Sequence, residues 1–313
     1  NMEFVQFHPT SLENSNILIS ESARGEGGYL LDEFENRFID ELKPRDEVAR
    51  AIYEKIEKNQ KVYLDLRHLG IDKIKELMPQ ERRLAYDYSN IKIEEQLLPI
   101  SPSSHYSMGG IKTDINARTN IRNLFACGEC AEASIHGANR LGGNSLLEIV
   151  TFGKIAGINA SNDEKNISKI HTLNKSLKQD EENINKIYNY SNKINFYKQK
   201  DDIGNLLFNN LGLFRNEEKI STLIKKIKEL NLEIENMGIA DKSKTYNKNL
   251  VEFLEFRNIL NVALLVSISA LNRKESRGSH FRLDYPLERQ EYEKNTIIKK
   301  LDNKIIVEFE EIV

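Results

Sequence analysis

Hydrophobic and polar positions alternate at both ends of the sequence and follow helical spacing between them. Residues 1–7 alternate as a strand does, and the tail 296–313 alternates again, which predicts a strand or a hairpin. Pro44 opens a segment whose apolar residues are spaced as on a helix, and residues 72–88 predict a charged helix. From about 162 to 272, apolar residues recur every three or four positions, which predicts amphipathic helices. The pattern as a whole indicates an α+β protein.

The region 103–160 differs in composition, because half of the 16 glycines of the chain lie there. Residues 124–127 predict a short buried strand, and Gly128 and Glu129 follow it directly. The glycine-rich stretch that ends at 143 opens a helix over 145–156, which its apolar residues predict to be largely buried. Helix N-termini offer N–H groups to phosphates and electron-rich rings, so this succession predicts one edge of a cofactor site.

Arginine and histidine residues in the same region suggest the kind of ligand. Arg140 and the imidazoles of His105 and His136 suit a small dicarboxylate, because guanidinium groups bind carboxylates through two parallel hydrogen bonds. A second polar set precedes them in the sequence: His8, Ser20, Glu21, Arg24 and Arg45. His68, His171 and His280 are expected to be structural or surface residues without a catalytic role.

Composition and charge exclude several other classes of protein. The 313 residues include 45 basic and 48 acidic side chains, and the net charge of −3 gives no general attraction to nucleic acid. The Lys- and Asn-rich stretch 161–250 is expected to be a solvated helical surface. The apolar run 259–271 is shorter than the roughly 20 residues that span a bilayer. Cys127 and Cys130 form a single C-x-x-C, so we predict no metal site and leave a redox pair open.

Taken in order, the motifs resemble one family, the flavoprotein subunit of succinate dehydrogenase and fumarate reductase, to which L-aspartate oxidase is related. The resemblance extends over nearly the whole chain and is weakest from about 160 to 250. The stretches that carry it are 3–10, 24–28, 44–46, 105–110, 128–129 and 136–148, with further similarity at 62–70 and 275–282. Arg277 and Arg282, in the last stretch, would either pin the C-terminal segment or face a partner subunit.

The resemblance implies a role for each polar residue of the two sets. The residues that would hold the substrate carboxylates are His8, Ser20, His105 and Arg140. Arg45 would exchange a proton with the substrate carbon, and Glu21 and Arg24 would relay that proton toward solvent. An arginine acid is unexpected from its usual pKa above 12; burial and Arg24 would favour loss of its proton, whereas Glu21 would oppose that loss.

FAD is the cofactor that the resemblance implies. Glu129 would bind its ribose, and Ser145 and Leu146, with the neighbouring Asn144, would meet the isoalloxazine ring. The dinucleotide fingerprint G-x-G-x-x-G is missing from this sequence, and the alternation is already under way at residue 1. We therefore expect a later part of a longer polypeptide that alone binds FAD poorly or not at all and is inactive.

The implied architecture is a cap domain, a partial FAD-binding α/β domain and a C-terminal helical domain. The expected segments are 1–8 (end of a first FAD-binding segment), 9–102 (α+β cap), 103–160 (returning FAD-binding segment), 161–270 (helical domain) and 271–313 (C-terminal segment).

The implied activity is the interconversion of succinate and fumarate, with electrons passed to an iron–sulfur subunit and, through a membrane anchor subunit, to quinone. The protein would lie peripherally on the membrane, on its cytoplasmic face. Two alternatives stay open: an L-aspartate oxidase, and a non-catalytic interaction module on the same scaffold. Gly142-Gly143 and residues 62–70 favour the dicarboxylate oxidoreductase over L-aspartate oxidase.

Overall fold

The computed structural model describes residues 1–163, 173–302 and 304–312. Its first sheet is antiparallel, and its strands in spatial order are β1 (Val5–Leu12), β4 (Leu98–Ser107), β3 (Val62–Asp65) and β2 (Tyr29–Asp32). The expected domain boundaries at 8/9 and 102/103 fall inside β1 and β4, so the sheet continues across both positions. Residues 98–102 are thus part of a strand, although their two prolines predicted a stiff connector.

Four helices accompany this sheet: α1 (Ser22–Gly25), α2 (Arg45–Glu57), α3 (Ile71–Leu77) and α4 (Pro79–Ser89). The single helix expected over 72–88 is divided at Met78, whose backbone (φ −134°, ψ 43°) is not helical. The cause is Pro79, because a proline disfavours the helical conformation of the residue before it and suits the first turn of a new helix. Val48 and Ile52 of α2 are fully buried among apolar side chains of the sheet.

The glycine-rich region contains two short parallel strands, β5 (Ile111–Lys112) and β6 (Ala131–Glu132), and the long helix α5 (Asn144–Asp163). The buried strand expected at 124–127 is absent: Phe125 makes only an isolated bridge to Arg118.

The helix predicted to follow the glycine-rich stretch is present, but its burial was predicted wrongly. Leu146, Leu147 and Val150 are 66%, 67% and 71% exposed. No described residue covers this face, and that is why an apolar pattern failed to predict burial.

Four helices follow in the region predicted to be helical. The amphipathic ones are α6 (Leu173–Asn189), α7 (Phe196–Leu211) and α8 (Glu217–Glu235), and the more apolar one is α9 (Lys248–Asn272). Phe253, Phe256 and Leu260 of α9 are fully buried in the shared core. By length and composition, α9 is the one described helix that could cross a membrane. The sequence analysis considered only the apolar run 259–271, whereas the helix has 25 residues. It packs against α7 and α8, and 33% of its most apolar stretch is buried. His171 lies outside the described residues.

The C-terminal segment ends in a hairpin of β7 (Lys294–Leu301) and β8 (Lys304–Glu311), as its alternation predicted. Buried arginines fix this segment to the rest of the chain. Arg273 donates to Glu3 Oε1 at 2.5 Å and to Thr296 Oγ1 at 2.8 Å. Arg282 is also buried; it donates to the carbonyl of Ala270 at 2.8 Å and so pins the segment to the end of α9.

Replacing Arg273 by methionine should lower the free energy of unfolding by about 3–5 kcal/mol, because the buried carboxylate of Glu3 loses its cation. Chemical denaturation of the full-length protein measures this change. The control is Arg83→Met, which removes an exposed ion pair with Asp87 and should cost less than about 1 kcal/mol. Equal losses in the two variants would contradict a special role for Arg273.

Candidate functional site

A cleft of about 740 Å³ opens where the first sheet, α2, α4 and the glycine-rich loop 136–143 meet. Five of the residues that the sequence nominated line it, namely His8, Ser20, Glu21, Arg45 and His105. The loop contributes Gly142 and Gly143, and α4 contributes Gln80, Glu81 and Leu84. Arg140 is buried beside this cleft and is bonded to His105.

Arg45 is held in place by one carboxylate and one amide. The fixed φ of Pro44 begins α2 and makes Arg45 its first residue. The guanidinium donates to Glu21 Oε2 through Nε at 3.1 Å and through Nη2, and to Gln6 Oε1 through Nη1 at 3.0 Å. A Cβ at Gly142 would lie only 2.8 Å from Glu21 Oε2, so the loop approaches this pair closely because position 142 is glycine.

Arg24 continues the same chain of charges into the protein. Its Nη2 lies 3.5 Å from Glu21 Oε1, its Nη1 donates to the carbonyl of Glu41, and its Nε is buried without a partner among the described residues. Burial lowers the pKa of Arg24; Glu21 opposes this shift and Arg45 adds to it. Burial would raise the pKa of Glu21, but Arg45, Arg24 and Arg140 together keep it below its usual range. Arg45, Glu21 and Arg24 therefore form a contiguous line of groups that can hold a proton.

Arg140 contacts His105, which in turn contacts His8. Its Nη2 lies 3.0 Å from His105 Nε2, and because a guanidinium only donates, that nitrogen is the acceptor and the imidazole is neutral. Burial, Arg140 and Arg45 lower the pKa of His105 to about 4. The ring of His8 stands 5.3 Å from that of His105, and burial, Arg45 and His105 lower the pKa of His8 to about 3. Both imidazoles are neutral at physiological pH.

Gln6 is a site residue that the sequence analysis missed. Its side chain is fully buried, and its Oε1 accepts from Arg45 Nη1 at 3.0 Å and from Arg140 Nη2 at 3.3 Å. Its Nε2 donates to the carbonyl of Arg140 at 2.6 Å. A signal was present, because side chains two positions apart in a strand share a face and Gln6 precedes His8 by two.

The residues nominated for the cofactor lie outside the lining of the cleft. Glu129 Oε1 accepts from the N–H of Ser107 at 2.9 Å, and Asn144, Ser145 and Leu146 form the first turn of α5. Ser145 Oγ lies 3.3 Å from Arg140 Nη1, which connects this turn to the cleft. An accessible carboxylate for a ribose hydroxyl, with a helix N-terminus bearing the exposed Leu146 for a ring, fits one edge of FAD.

Ser20 is exposed at the rim, and its Oγ accepts from the N–H of Ser22 at 3.2 Å. His136, suggested at first for the carboxylates, bonds instead to Glu148 at 2.9 Å and is absent from the lining of the cleft. His280 is buried and bonded to Arg215, as expected of a structural residue.

Comparisons with known proteins identify the family. Residues 1–146 match the FAD binding domain family, and residues 200–313 match the family described as fumarate reductase flavoprotein C-term. The chain belongs to the fumarate reductase and succinate dehydrogenase flavoprotein family. The resemblance inferred from the motifs, the mixed α and β fold and FAD as the cofactor of the family are thereby confirmed.

The similarity to individual members of this flavoprotein family covers most of the chain. The fumarate reductase flavoprotein subunit of Escherichia coli K12 is 37% identical over 315 residues, covering 91% of this chain and 52% of that protein. The succinate dehydrogenase flavoprotein subunit of Coxiella burnetii is 34% identical over 91% of this chain and 53% of that protein. A structure of quinol-fumarate reductase with menaquinol molecules superposes with a TM-score of 0.94 at 34% identity, covering 100% of this chain and 60% of that one. The chain thus spans about half the length of these curated relatives.

Replacing Gln6 by leucine should weaken the binding of malonate, an inert three-carbon dicarboxylate, about tenfold, because Arg45 and Arg140 lose their shared acceptor. Titration calorimetry on the full-length, FAD-loaded protein measures this affinity. Gln96→Leu, at an exposed glutamine, is the matched control and should leave binding unchanged. An unaltered affinity in Gln6→Leu would contradict the bridging role.

The affinity for malonate should change less than about threefold between pH 6.5 and 8.5. His8 and His105, with pKa values of about 3 and 4, are already neutral throughout this range. Burial lowers the pKa values of Arg24 and Arg140, but from an ordinary value of about 12.5 that lies far above this range, and the pKa of Glu21 is held below its usual range by the arginines around it. A tenfold loss of affinity per pH unit above 6.5 would show that a protonated histidine binds the ligand.

Proposed function

We propose that this chain is the substrate-binding part of a flavoprotein subunit that interconverts succinate and fumarate with FAD. The observation that carries the proposal is the pair Arg45 and Arg140, which share the acceptor Gln6 Oε1 although they belong to segments far apart in the sequence. Arg45 lines the cleft, and Arg140 is buried directly beside it. In this proposal residues 9–102 are a cap that brings Arg45 onto the substrate, and 103–160 belong to the flavin-binding domain.

The charge of the cleft favours a dianion. Arg24, Arg45 and Arg140 supply cationic groups, and Glu21 is engaged by two of them. Glu81 is a second carboxylate, so the lining itself holds Arg45 with two carboxylates. Together with Arg24 and Arg140, which are buried beside the lining, three guanidinium groups stand against these two carboxylates. A four-carbon dicarboxylate would present one carboxylate to Arg140, His105 and His8 and the other near Ser20. Guanidinium groups bind such carboxylates in a fixed plane, which would orient the two central carbons.

The proton would be exchanged at Arg45. Removing two hydrogens from succinate requires one acceptor for a hydride, which FAD supplies when bound, and another for a proton. Arg45 donates to Glu21 through two nitrogens, and Glu21 in turn lies beside Arg24. This continuous contact supports a relay in which Glu21 and Arg24 return the proton toward solvent. In the direction of fumarate reduction, the same cations would stabilise the negative charge that develops on the substrate.

The exposed apolar face of α5 indicates how completely this chain could bind the cofactor. Leu146, Leu147 and Val150 are each more than 60% exposed, which is unusual for three neighbouring apolar side chains. We propose that further parts of the flavin-binding domain cover this face in the working enzyme. We also propose that the 313 residues alone bind FAD poorly.

The remaining partners are proposed from the resemblance and from one similar structure. That structure is a quinol-fumarate reductase with menaquinol molecules, which supports transfer of the electrons to quinone, and we propose that they pass through an iron–sulfur subunit. A membrane anchor subunit would hold the complex on the membrane, with this subunit peripheral on the cytoplasmic face.

The test uses the full-length flavoprotein with a dye as electron acceptor and offers succinate and L-aspartate separately. Succinate should reduce the dye and L-aspartate should not. Arg45→Ala should lower turnover by about 10²–10⁴, the usual contribution of a general acid or base. Arg83→Ala, at an arginine with an 81% exposed side chain, should leave turnover unchanged.

Each contrary outcome of this assay identifies a different alternative. Reduction of the dye with L-aspartate alone would make the protein an L-aspartate oxidase. If neither succinate nor L-aspartate reduces the dye, the non-catalytic interaction module is favoured. Turnover of succinate that survives Arg45→Ala would contradict the role given to that arginine while leaving the substrate assignment intact.

A further inference from the structure

Directly behind Arg140 lies a buried cluster of three polar side chains that the proposed reaction does not use. The hydroxyl of Tyr106 donates to Glu148 Oε2 at 2.8 Å, and His136 Nε2 lies 2.9 Å from the same oxygen. Tyr106 is 7% exposed, Glu148 3%, and the side chain of His136 6%. None of the three lines the cleft, so none is placed to touch a ligand there.

The direction of each hydrogen bond in this cluster follows from the chemistry of the groups. An ionised carboxylate only accepts, so Glu148 receives one hydrogen bond from the Tyr106 hydroxyl and one from His136 Nε2. Burial and this hydrogen bond raise the pKa of Tyr106, which keeps its proton on the hydroxyl. The phenol ring is therefore anchored at its far end by a charge-assisted hydrogen bond.

The face of the same ring supports the guanidinium of Arg140, whose Cζ lies 4.3 Å from the ring centroid. The hydrogen bonds of Arg140 to Gln6, Ser145 and the carbonyl of Leu141 are each 3.3 Å, and the bond to His105 is 3.0 Å. Its Nε is buried without a partner among the described residues. Stacking on an aromatic face restrains the plane of the guanidinium in addition to these hydrogen bonds at its edges.

We propose that Tyr106 is a positioning residue for Arg140, and that Glu148 holds the tyrosine ring in the orientation that points the guanidinium at the substrate. The inference rests on the proposed function, because it assigns the anchor of the arginine that would bind the substrate carboxylate. Glu148 and Ser145 both belong to the first two turns of α5. The helix whose N-terminus would meet the flavin thus also sets the orientation of the carboxylate clamp.

The test measures malonate affinity in the full-length, FAD-loaded flavoprotein. Tyr106→Leu removes the ring and should weaken binding about tenfold, whereas Tyr106→Phe keeps the ring, loses only its anchor and should weaken binding at most about threefold. A loss in Tyr106→Phe as large as in Tyr106→Leu would overturn the assignment to the ring face. An unchanged affinity in Tyr106→Leu would overturn the proposal altogether.

A double-mutant cycle separates positioning of Arg140 from general damage to the fold. In an Arg140→Gln background, Tyr106→Leu should change malonate affinity less than about twofold, because the side chain through which it acts is gone. A loss of the same size in both backgrounds would show a merely structural role.

Glu148→Gln provides a second variant if Tyr106→Leu does not fold. This change keeps the shape of the side chain and removes the charged acceptor, so KM for succinate should rise about two- to threefold, no more than malonate affinity falls in Tyr106→Phe, with kcat changed less than twofold. A fall in kcat at constant KM would overturn the proposal.

The outcome for the unmodified protein distinguishes this inference from the proposed function. If the unmodified flavoprotein neither binds malonate nor oxidises succinate, the proposed function fails and the inference fails with it. If it does both, and the Tyr106 and Glu148 variants behave like it, only the positioning role is wrong.

Discussion

The site depends on one buried amide that lets two arginines share a cleft. Like charges repel, and burial makes that repulsion stronger, so two guanidinium groups at one cleft need a common acceptor. Gln6 Oε1 is that acceptor for Arg45 and Arg140, and Glu21 neutralises part of the remaining charge. Burial, with the same positive field added to it, lowers the pKa values of the nearby histidines and keeps them neutral. The carboxylates of the cleft do not balance the guanidinium groups in and beside it, so the cleft favours an anionic ligand.

The rest of the fold holds the arginines at this distance. Asn139, next to Arg140, donates to Asp46 of α2 at 2.6 Å, which links the glycine-rich loop to the helix that begins with Arg45. The carbonyl of Ala138 accepts from the N–H of Ser279 at 3.0 Å, so the C-terminal segment supports the loop from the other side. A Cβ at Gly278 would lie 2.6 Å from that carbonyl, and position 278 is also at φ +51°. Glycine permits both the conformation and the close approach.

Much of this could be predicted from the sequence, and the exceptions have physical causes. Helical spacing located α2, α8 and α9, and alternation located the C-terminal hairpin, because these patterns reflect local geometry. The break at Met78 required attention to Pro79. The apolar face of α5 is exposed because no described residue packs over it. Gln6 was missed because a buried polar residue between two apolar ones looks like an exposed position of an edge strand. The motifs, in contrast, identified the family, and they nominated both arginines of the cleft.

A structure of the full-length, FAD-loaded flavoprotein crystallised with malonate tests the central claim most directly. The account predicts the two carboxylates of malonate in the cleft, one within hydrogen-bond distance of Arg140 and His105 and the ligand as a whole beside Arg45. Gln6 should still bridge the two arginines when the ligand is bound. Malonate bound elsewhere, or a cleft in which Arg45 and Arg140 have moved apart and bind no common ligand, would contradict the account.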